Sequence, residues 1–181
     1  MISYFPAWLS VEEAAVLQAA AERFPFEPRE VKVWDKIHPL PRLTCFFSDN
    51  QTGYHYSGQT TPGNPWPTEL LEIRAKLETQ CGCVFGACLG NLYRSGNDTV
   101  GWHRDNDHIF NTKLIIASLS VGCTRRFRMR NRATGEKEDF ELAAGSLLIF
   151  TDEHVSSWEH QVPRTAKETG QRINFTFRST D

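Results

Sequence analysis

Apolar positions recur at helical intervals in two stretches of the N-terminal half of the chain. The first, Val11 to Arg23, is rich in alanine and follows Ser10, which together with Glu13 fits a capping box. The second begins at Thr68, a residue suited to cap a helix, and runs to about Gln80. Its apolar residues at helical spacing are Leu70, Ile73 and Leu77. This half therefore predicts two helices, with proline-containing loops at residues 39–41 and 61–67.

From Val84 onward, apolar residues alternate with polar ones or form short unbroken runs, which is typical of strands. Gly or polar turns separate the runs, and Ala133-Thr134-Gly135 is the best hairpin turn. Seven strands are predicted, at residues 84–93, 114–121, 126–130, 138–142, 146–150, 160–162 and 172–177. Two helices followed by a run of strands predict an α+β fold with a β-sandwich or jelly roll as its main body. With 181 residues, we expect a single domain, 1–181.

Composition narrows the class of protein. Apolar residues make up 40% and charged residues 23% of the chain, which is typical of a globular domain. There is no run of about 18 apolar residues, and the first ten residues lack the pattern of a secretory signal, so we expect no membrane partner. Five cysteines are an odd number in a chain too large to need disulfides, which favours reduced thiols in the cytoplasm. We also expect a monomer.

The net charge of −2 hides a basic cluster of five arginines within eight residues. Its members are Arg125, Arg126, Arg128, Arg130 and Arg132. The net charge argues against a polyanion-binding protein as a whole, but local charge governs contact with phosphates. The cluster is either such a contact surface or the solvated face of a strand, and the residues leave both interpretations open.

The last predicted strand has an unusual polar face. Because side chains alternate along a strand, Ile173, Phe175 and Phe177 would point to one side. The opposite side would carry Arg172, Asn174, Thr176 and Arg178. Two arginines are expensive to bury without a partner, so this face is either solvated or lines a pocket for an anion. A carboxylate ligand is the specific form of the second alternative, because a guanidinium matches it in geometry.

His103 and Asp105 would project to the same side of an extended segment. A neutral imidazole and a carboxylate at this spacing are two ligands of a 2-His-1-carboxylate triad, which leaves three positions open on iron. An H-x-D motif alone is common, so the hypothesis needs a distant histidine. Of His154 and His160 we favour His160, which lies in a predicted strand twelve residues before Arg172. The remaining histidines, less well placed, are His38, His55 and His108.

Asn91 and Tyr93 share one face of the strand predicted at residues 84–93, and Leu92 lies on the other face. An amide and a phenol can form hydrogen bonds with the carboxylates of a ligand. The alternative, that both are core polar groups satisfied within the protein, stays open.

Six motifs in this order resemble those of the AlkB-like dioxygenases, which use Fe(II) and 2-oxoglutarate. They are Asn91-Leu92-Tyr93, Gly101 to Asp105, Ala117 to Gly122, Gly145 to Leu148, Trp158-Glu159-His160 and Arg172-x-Asn174-x-Thr176-x-Arg178. The resemblance covers residues 35 to 178, and segments 41–49 and 54–58 are similar to the branch that repairs alkylated bases. It implies a double-stranded β-helix, a form of jelly roll, with the two N-terminal-half helices packed on one sheet. The catalytic core would span about residues 84–178 and the substrate-recognition segment about residues 24–60.

The resemblance implies that His103, Asp105 and His160 bind Fe(II). It also implies that Arg172 pairs with the distal carboxylate of 2-oxoglutarate. Further contacts to this cosubstrate are expected from Asn91, Tyr93, Asn174, Thr176 and Arg178. The implied reaction is oxidative demethylation of N-alkylated bases such as 1-methyladenine and 3-methylcytosine in DNA or RNA. It consumes O2 and releases formaldehyde, succinate and CO2. Two alternatives remain: the same chemistry on a tRNA base, a protein or a lipid, and a catalytically inactive nucleic-acid-binding module.

The resemblance also implies a set of substrate contacts. Tyr56 would stack on a flipped base, with Tyr54 and Arg42 nearby and Asp107 facing the base. Asn106 departs from the pattern, since close relatives usually carry a second acid there, so base preference stays open. Arg126 and Arg128 would lie where relatives contact the nucleic-acid backbone. In the recognition-lid region, residues 24–36, Phe24 and Phe26 are candidates for an apolar wedge, with ordinary packing as the alternative.

Overall fold

The computed structural model describes residues 2–33, 35–49, 51, 53–56, 59–105, 114–151, 157–167 and 170–180. Within these residues the chain forms two α-helices and thirteen β-strands. The helices are α1 (Val11–Ala21) and α2 (Thr68–Cys81). The strands are β1 (Ile2–Phe5), β2 (Glu27–Val33), β3 (Lys36–Ser48), β4 (Tyr54–Tyr56), β5 (Gln59–Thr61), β6 (Phe85–Tyr93), β7 (Val100–His103), β8 (Ile115–Gly122), β9 (Arg125–Asn131), β10 (Lys137–Leu142), β11 (Leu147–Thr151), β12 (Trp158–Val162) and β13 (Arg172–Ser179).

Two antiparallel sheets form the body of the protein. The larger has the strand order β1-β11-β8-β13-β6-β3-β2, and the smaller has the order β10-β9-β12-β7. Strands β4 and β5 form a separate hairpin. From β8 onward the chain crosses repeatedly between the two sheets: β8, β11 and β13 lie in the larger sheet, and β9, β10 and β12 lie in the smaller one. This is the predicted double-stranded β-helix, so the fold prediction is confirmed.

The outer face of the larger sheet is covered by the two helices. Leu17 of α1 and Leu77 of α2 belong to one buried cluster with Phe175 and Phe177 of β13. Full burial of such aliphatic and aromatic side chains contributes about 1.5–3 kcal/mol each, which holds the helices on this face. Since Phe175 and Phe177 point toward the helices, the residues that alternate with them along β13 point into the space between the two sheets.

Helix α1 begins as the sequence predicts. Ser10 Oγ accepts a hydrogen bond of 3.1 Å from the Glu13 N–H, and Glu13 Oε2 accepts one of 2.9 Å from the Ser10 N–H. The predicted cap of α2 is wrong, because Thr68 is the first helical residue and Pro67 occupies the capping position without a side-chain hydrogen bond. Within the described residues, neither helix combines the length and the apolar character needed to span a membrane.

The predicted loop at residues 39–41 is also wrong, because these residues belong to β3. Proline cannot donate to a strand ladder, but Pro39 pairs only with β2, the outermost strand of the larger sheet. A register shift between Pro28 and Glu30 in β2 accompanies this proline-containing stretch. Strands β1, β4, β5 and β7 are not predicted either, because each has at most four residues in which alternation can be recognised. Strands β2 and β3 are also missing from the prediction, and both contain proline, which is rare inside strands.

Candidate active site

Two histidines and one carboxylate meet on the inner face of the smaller sheet. His103 on β7 and His160 on β12 are direct cross-strand partners, and their ring centroids lie 4.2 Å apart. Asp105 follows β7 by two residues, with Oδ1 3.7 Å from His103 Nε2 and 3.9 Å from His160 Nε2. One ligand atom from each residue lies within 4.8 Å of the others, a spacing suited to a metal ion. The structure thus brings together the three predicted ligands, with His160 in its predicted strand.

A backbone carbonyl fixes the orientation of one imidazole. His103 Nδ1 lies 2.8 Å from the carbonyl oxygen of Gly101. Only a protonated nitrogen can donate to a carbonyl, so in the neutral ring Nδ1 carries the hydrogen and Nε2 has the lone pair. That lone pair is on the side of Asp105, where a metal ligand is needed. Such an outer hydrogen bond both selects the tautomer and orients the ring.

Burial and neighbouring charges hold Asp105 and His160 in the protonation states that a metal requires. Burial alone would raise the pKa of Asp105, but nearby positive charge, that of Arg178 above all, holds its pKa below the ordinary value. Burial lowers the pKa of His160 to about 3, and the charge of His103 contributes. At neutral pH the site therefore presents a carboxylate and a neutral His160, the forms that ligate iron.

Arg172 provides an anion-binding group at the other end of the same cavity. Only 1% of this residue is exposed, and its Nη2 donates a hydrogen bond of 2.9 Å to Ser120 Oγ. Nε and Nη1 are buried and have no hydrogen-bond partner among the described residues. An unmatched buried donor costs about 1–3 kcal/mol, and more when it is charged. A ligand carboxylate would satisfy two such donors of one guanidinium, so the residues present fit the distal carboxylate of 2-oxoglutarate.

The other predicted cosubstrate residues form a polar lining beside Arg172. One transverse row crosses four strands of the larger sheet and consists of Thr44, Asn91, Asn174 and Ser120, all buried. Asn174 Nδ2 donates to Ser118 Oγ at 2.8 Å, and Asn174 Oδ1 accepts from Thr176 Oγ1 at 3.0 Å. Asn174 therefore fixes the side chains of Ser118 and Thr176 by hydrogen bonds. It also lines the cavity, together with Asn91, Tyr93 and Thr176.

Arg178 lies between the polar row and the triad. Its Nη2 is 3.5 Å from Asp105 Oδ2, and only 2% of the residue is exposed. The guanidinium thus contacts a predicted metal ligand and lines the cavity at the same time. The solvated alternative for this strand face is wrong, because Arg172, Asn174, Thr176 and Arg178 are all buried.

The cavity and the open solvent space at its mouth together amount to about 790 Å³. The predicted substrate residue Arg42 lines it, with Nε 2.7 Å from Asn91 Oδ1 and Nη1 3.4 Å from the carbonyl oxygen of Thr99. Leu40 and Thr61 also line it and were not predicted. The alternation of β3 places Leu40 on the same face as Arg42. This relationship is missed at the sequence level because residues 39–41 are predicted to form a loop.

Four predicted substrate residues cannot be placed in the cavity. Asn106 and Asp107 lie outside the described residues. The backbone of Tyr54 and Tyr56 belongs to β4. Their side chains, on which the predicted roles depend, lie outside what the structure describes. Phe24, by contrast, packs inside the protein, with ring centroids 5.5 Å from Phe47 and 6.0 Å from Phe175. Phe26 belongs to the same packing, so ordinary packing is the alternative that the structure favours for both.

The basic cluster divides between two faces of β9. Arg126 and Arg128 point outward and both form ion pairs with Asp139. Arg130 and Arg132, which is next to the strand, form ion pairs with Glu159. Arg125 lies on the opposite face and is only 3% exposed. The outer arginines thus form a surface, whereas the inclusion of Arg125 in one exposed cluster is wrong.

A jelly roll that holds a 2-His-1-carboxylate triad and a buried carboxylate-binding arginine defines the class of non-haem iron oxygenases. A model of the family described as "2OG-Fe(II) oxygenase superfamily" matches residues 1–178. "DNA oxidative demethylase ALKBH2" from Mus musculus is 32% identical over 90% of this chain and 71% of that protein. The chain belongs to the 2OG-Fe(II) oxygenase superfamily and, within it, to the AlkB-like oxygenases. Its cofactors are accordingly Fe(II) and 2-oxoglutarate.

Other relatives agree with this assignment. "Alpha-ketoglutarate-dependent dioxygenase alkB homolog 3" from Rattus norvegicus is 31% identical over 98% of this chain and 63% of that protein. The chain therefore spans slightly less than two thirds of the length of the alkB homolog 3 proteins that it matches. Among solved structures, "The structure of OsALKBH1" has a TM-score of 0.70 at 16% identity and covers 98% of this chain and 96% of that one. A Pseudomonas putida prolyl-4-hydroxylase has a TM-score of 0.64 at 17% identity, covering 99% and 93%, and both structures show the fold alone.

Proposed function

We propose that the protein demethylates N-alkylated bases in nucleic acid. The observation that carries this proposal is that one partly open cavity is lined by the triad, by Arg172 with donors unpaired among the described residues, and by Arg42. The named activities of the ALKBH2 relatives, DNA oxidative demethylation, support the substrate class. A base reaches such a cavity only after it leaves the helix stack, which suits a site open at one end.

The proposed reaction divides the two atoms of O2 between two products. One oxygen atom enters the succinate that forms, with CO2, from 2-oxoglutarate, and the other becomes the hydroxyl of an N–CH2OH group. The C–N bond then breaks: formaldehyde and the hydroxyl proton leave, and the ring nitrogen of the adenine or cytosine keeps the electron pair. When bound, iron would activate O2 as the oxidant, and 2-oxoglutarate would supply two of the four electrons that the reduction of O2 needs, the other two coming from the methyl group. The protein binds 2-oxoglutarate through Arg172 and its neighbours and orients His103 through the carbonyl of Gly101, and His160 is buried.

The proposal is tested by incubating the protein anaerobically with Fe(II) and 2-oxoglutarate and then adding O2 and short oligonucleotides. The oligonucleotides carry 1-methyladenine or 3-methylcytosine in single-stranded DNA, double-stranded DNA and RNA, with unmethylated strands as controls. Mass spectrometry reads the loss of one methyl group, and succinate is measured in the same samples. Methyl loss that requires both cofactors supports the proposal and ranks the substrates. Succinate release without methyl loss from any strand would overturn it in favour of another substrate.

We further propose that the protein works as a monomer in the reducing cytoplasm. The described residues of one chain supply the triad and Arg172, and the five cysteines are free thiols. Light scattering of the protein as it elutes from a size-exclusion column tests the monomeric state. Localisation of the tagged protein in cells tests the cytoplasmic location.

A further inference from the structure

Arg125 is a buried guanidinium that joins two separate segments of the backbone. Its Nη1 donates a hydrogen bond of 2.9 Å to the carbonyl oxygen of Ser95. Its Nη2 donates to the carbonyl oxygens of Asp98 at 3.0 Å and Pro163 at 2.8 Å. Ser95 and Asp98 follow β6, and Pro163 follows β12. One side chain therefore ties the end of the strand that carries Tyr93 to the end of the strand that carries His160.

The same guanidinium lies against the side chain that borders the carboxylate-binding end of the cavity. Its central carbon is 5.7 Å from the ring centroid of Tyr93, and that of Arg172 is 5.1 Å from the same ring. Cations within about 6 Å of an aromatic ring are attracted to its face. Tyr93 and Arg172 line the cavity, whereas Arg125 is not among the described residues that do. Any effect of Arg125 on a ligand must therefore pass through Tyr93 and Arg172, or through its charge.

Two buried arginines beside one ring are costly in the absence of an anion. Burial lowers the pKa of Arg172, and the nearby charge of Arg125 lowers it further. Burial also lowers the pKa of Arg125 itself. The carbonyl oxygens of Ser95, Asp98 and Pro163 satisfy Arg125, but Arg172 keeps two buried donors without partners among the described residues. A carboxylate bound at Arg172 would thus compensate both cations.

We propose that Arg125 is a positioning residue for the distal carboxylate of 2-oxoglutarate. It fixes Tyr93 against Arg172, so that the guanidinium of Arg172 is held in place before the carboxylate arrives. Lysine in its place would keep the charge but could not reach three carbonyl oxygens with one rigid planar group. This role concerns the cosubstrate and does not rest on the proposed nucleic-acid substrate, so a failure of base demethylation would leave it standing.

The test compares two ligands in the metal-loaded, oxygen-free protein. One is 2-oxoglutarate, and the other is 2-oxobutyrate, which has the same 2-oxo acid group but no distal carboxylate. Dissociation constants are measured by titration of the absorbance of the Fe(II) complex for the wild type, Arg125→Lys and the control Arg23→Lys. Arg23 suits a control because it is exposed and forms its ion pair with Glu69 on α2. Circular dichroism and metal content establish that each variant is folded and loaded.

We expect Arg125→Lys to weaken 2-oxoglutarate binding about tenfold, or about 1.4 kcal/mol, and to leave 2-oxobutyrate binding within about twofold. Equal weakening of both ligands, or of neither, would overturn the proposal. Arg125→Gln is the second probe, to which the same criteria apply if Arg125→Lys does not fold. In a Tyr93→Leu background the lysine substitution should have almost no further effect on 2-oxoglutarate binding. A full additional tenfold loss there would show that Arg125 does not act through Tyr93.

Discussion

Arg42 donates a hydrogen bond of 2.7 Å from Nε to Asn91 Oδ1, and both side chains are buried in the wall of the cavity. The bond engages the oxygen of the Asn91 amide, so its NH2 group is the part available to an acceptor in the cavity. It also links a predicted substrate residue to a predicted cosubstrate residue.

Arg42→Ala is therefore expected to weaken 2-oxoglutarate binding even when no nucleic acid is present. Loss of one hydrogen bond that involves a charged group corresponds to about 1.5–3 kcal/mol, or roughly a tenfold or greater rise in the dissociation constant. Calorimetric titration of the Mn(II)-loaded protein measures this constant, with Arg23→Ala as the matched control. An unchanged constant would confine Arg42 to substrate binding.

His103→Ala and Asp105→Ala should each abolish turnover and tight metal binding while the fold persists. Each removes one of three ligands, and the two sheets are held by clusters of apolar residues outside the triad. Metal content after dialysis, succinate production and circular dichroism are the measurements. Activity equal to that of the wild type in either variant would show that the triad is wrongly assigned.

Arg172→Ala should raise the 2-oxoglutarate concentration needed for half-maximal turnover by at least about tenfold, because the charge-assisted pair with the carboxylate is removed. Arg172→Lys keeps the charge without the planar pair of donors and should fall between the alanine variant and the wild type. Succinate release at several 2-oxoglutarate concentrations gives the comparison. If the requirement stays constant in both variants, another residue binds the distal carboxylate.

The outer arginines of β9 predict a salt dependence of nucleic-acid binding. Replacing Arg126, Arg128 and Arg130 with Ala should weaken oligonucleotide binding and reduce the slope of log K against log salt by up to about 0.9 for each phosphate that is no longer neutralised. Asp139 pairs with Arg126 and Arg128, so Asp139→Asn should release them and strengthen binding. Fluorescence anisotropy at several salt concentrations measures both slopes. A triple variant with the slope of the wild type would identify the row as a solvated surface.

Asp98 predicts a loss of stability in acid. Burial alone would raise the pKa of Asp98, but hydrogen bonds from Arg94 outweigh it and hold the pKa below the ordinary value of 3.8. A carboxyl group with a lowered pKa in the folded state stabilises the fold above its unfolded-state pKa, and this contribution is lost as the pH falls through the lowered value. Asp98→Asn should therefore lower the urea midpoint at pH 7 and have progressively less effect below about pH 4. A difference that is the same at pH 7 and pH 3 would contradict this.

Local patterns predicted those features that depend on neighbours in the sequence. The alternation along residues 172–178 correctly separated the side chains that face the helices from those that face the cavity. The same rule, applied to β9, places Arg125 with Phe127 and Met129 rather than with Arg126, and the density of arginines obscured it. The bonds from Arg125 to Ser95 and Pro163 join residues 30 and 38 positions apart, so the sequence pattern holds no local trace of them. The motif resemblance supplied the choice of function, which periodicity alone could not.

The direct pairing of His103 with His160 has a consequence for the way the protein comes apart. Among the described strands, β7 is the outermost strand of the smaller sheet and is hydrogen-bonded on one side only, to β12. An ion bound by residues of both strands would cross-link the edge strand β7 to β12. Loss of the ion would then allow β7 to separate from β12 first, while the larger sheet and its covering helices remain folded. The metal site and the pairing of this edge strand would therefore be lost together.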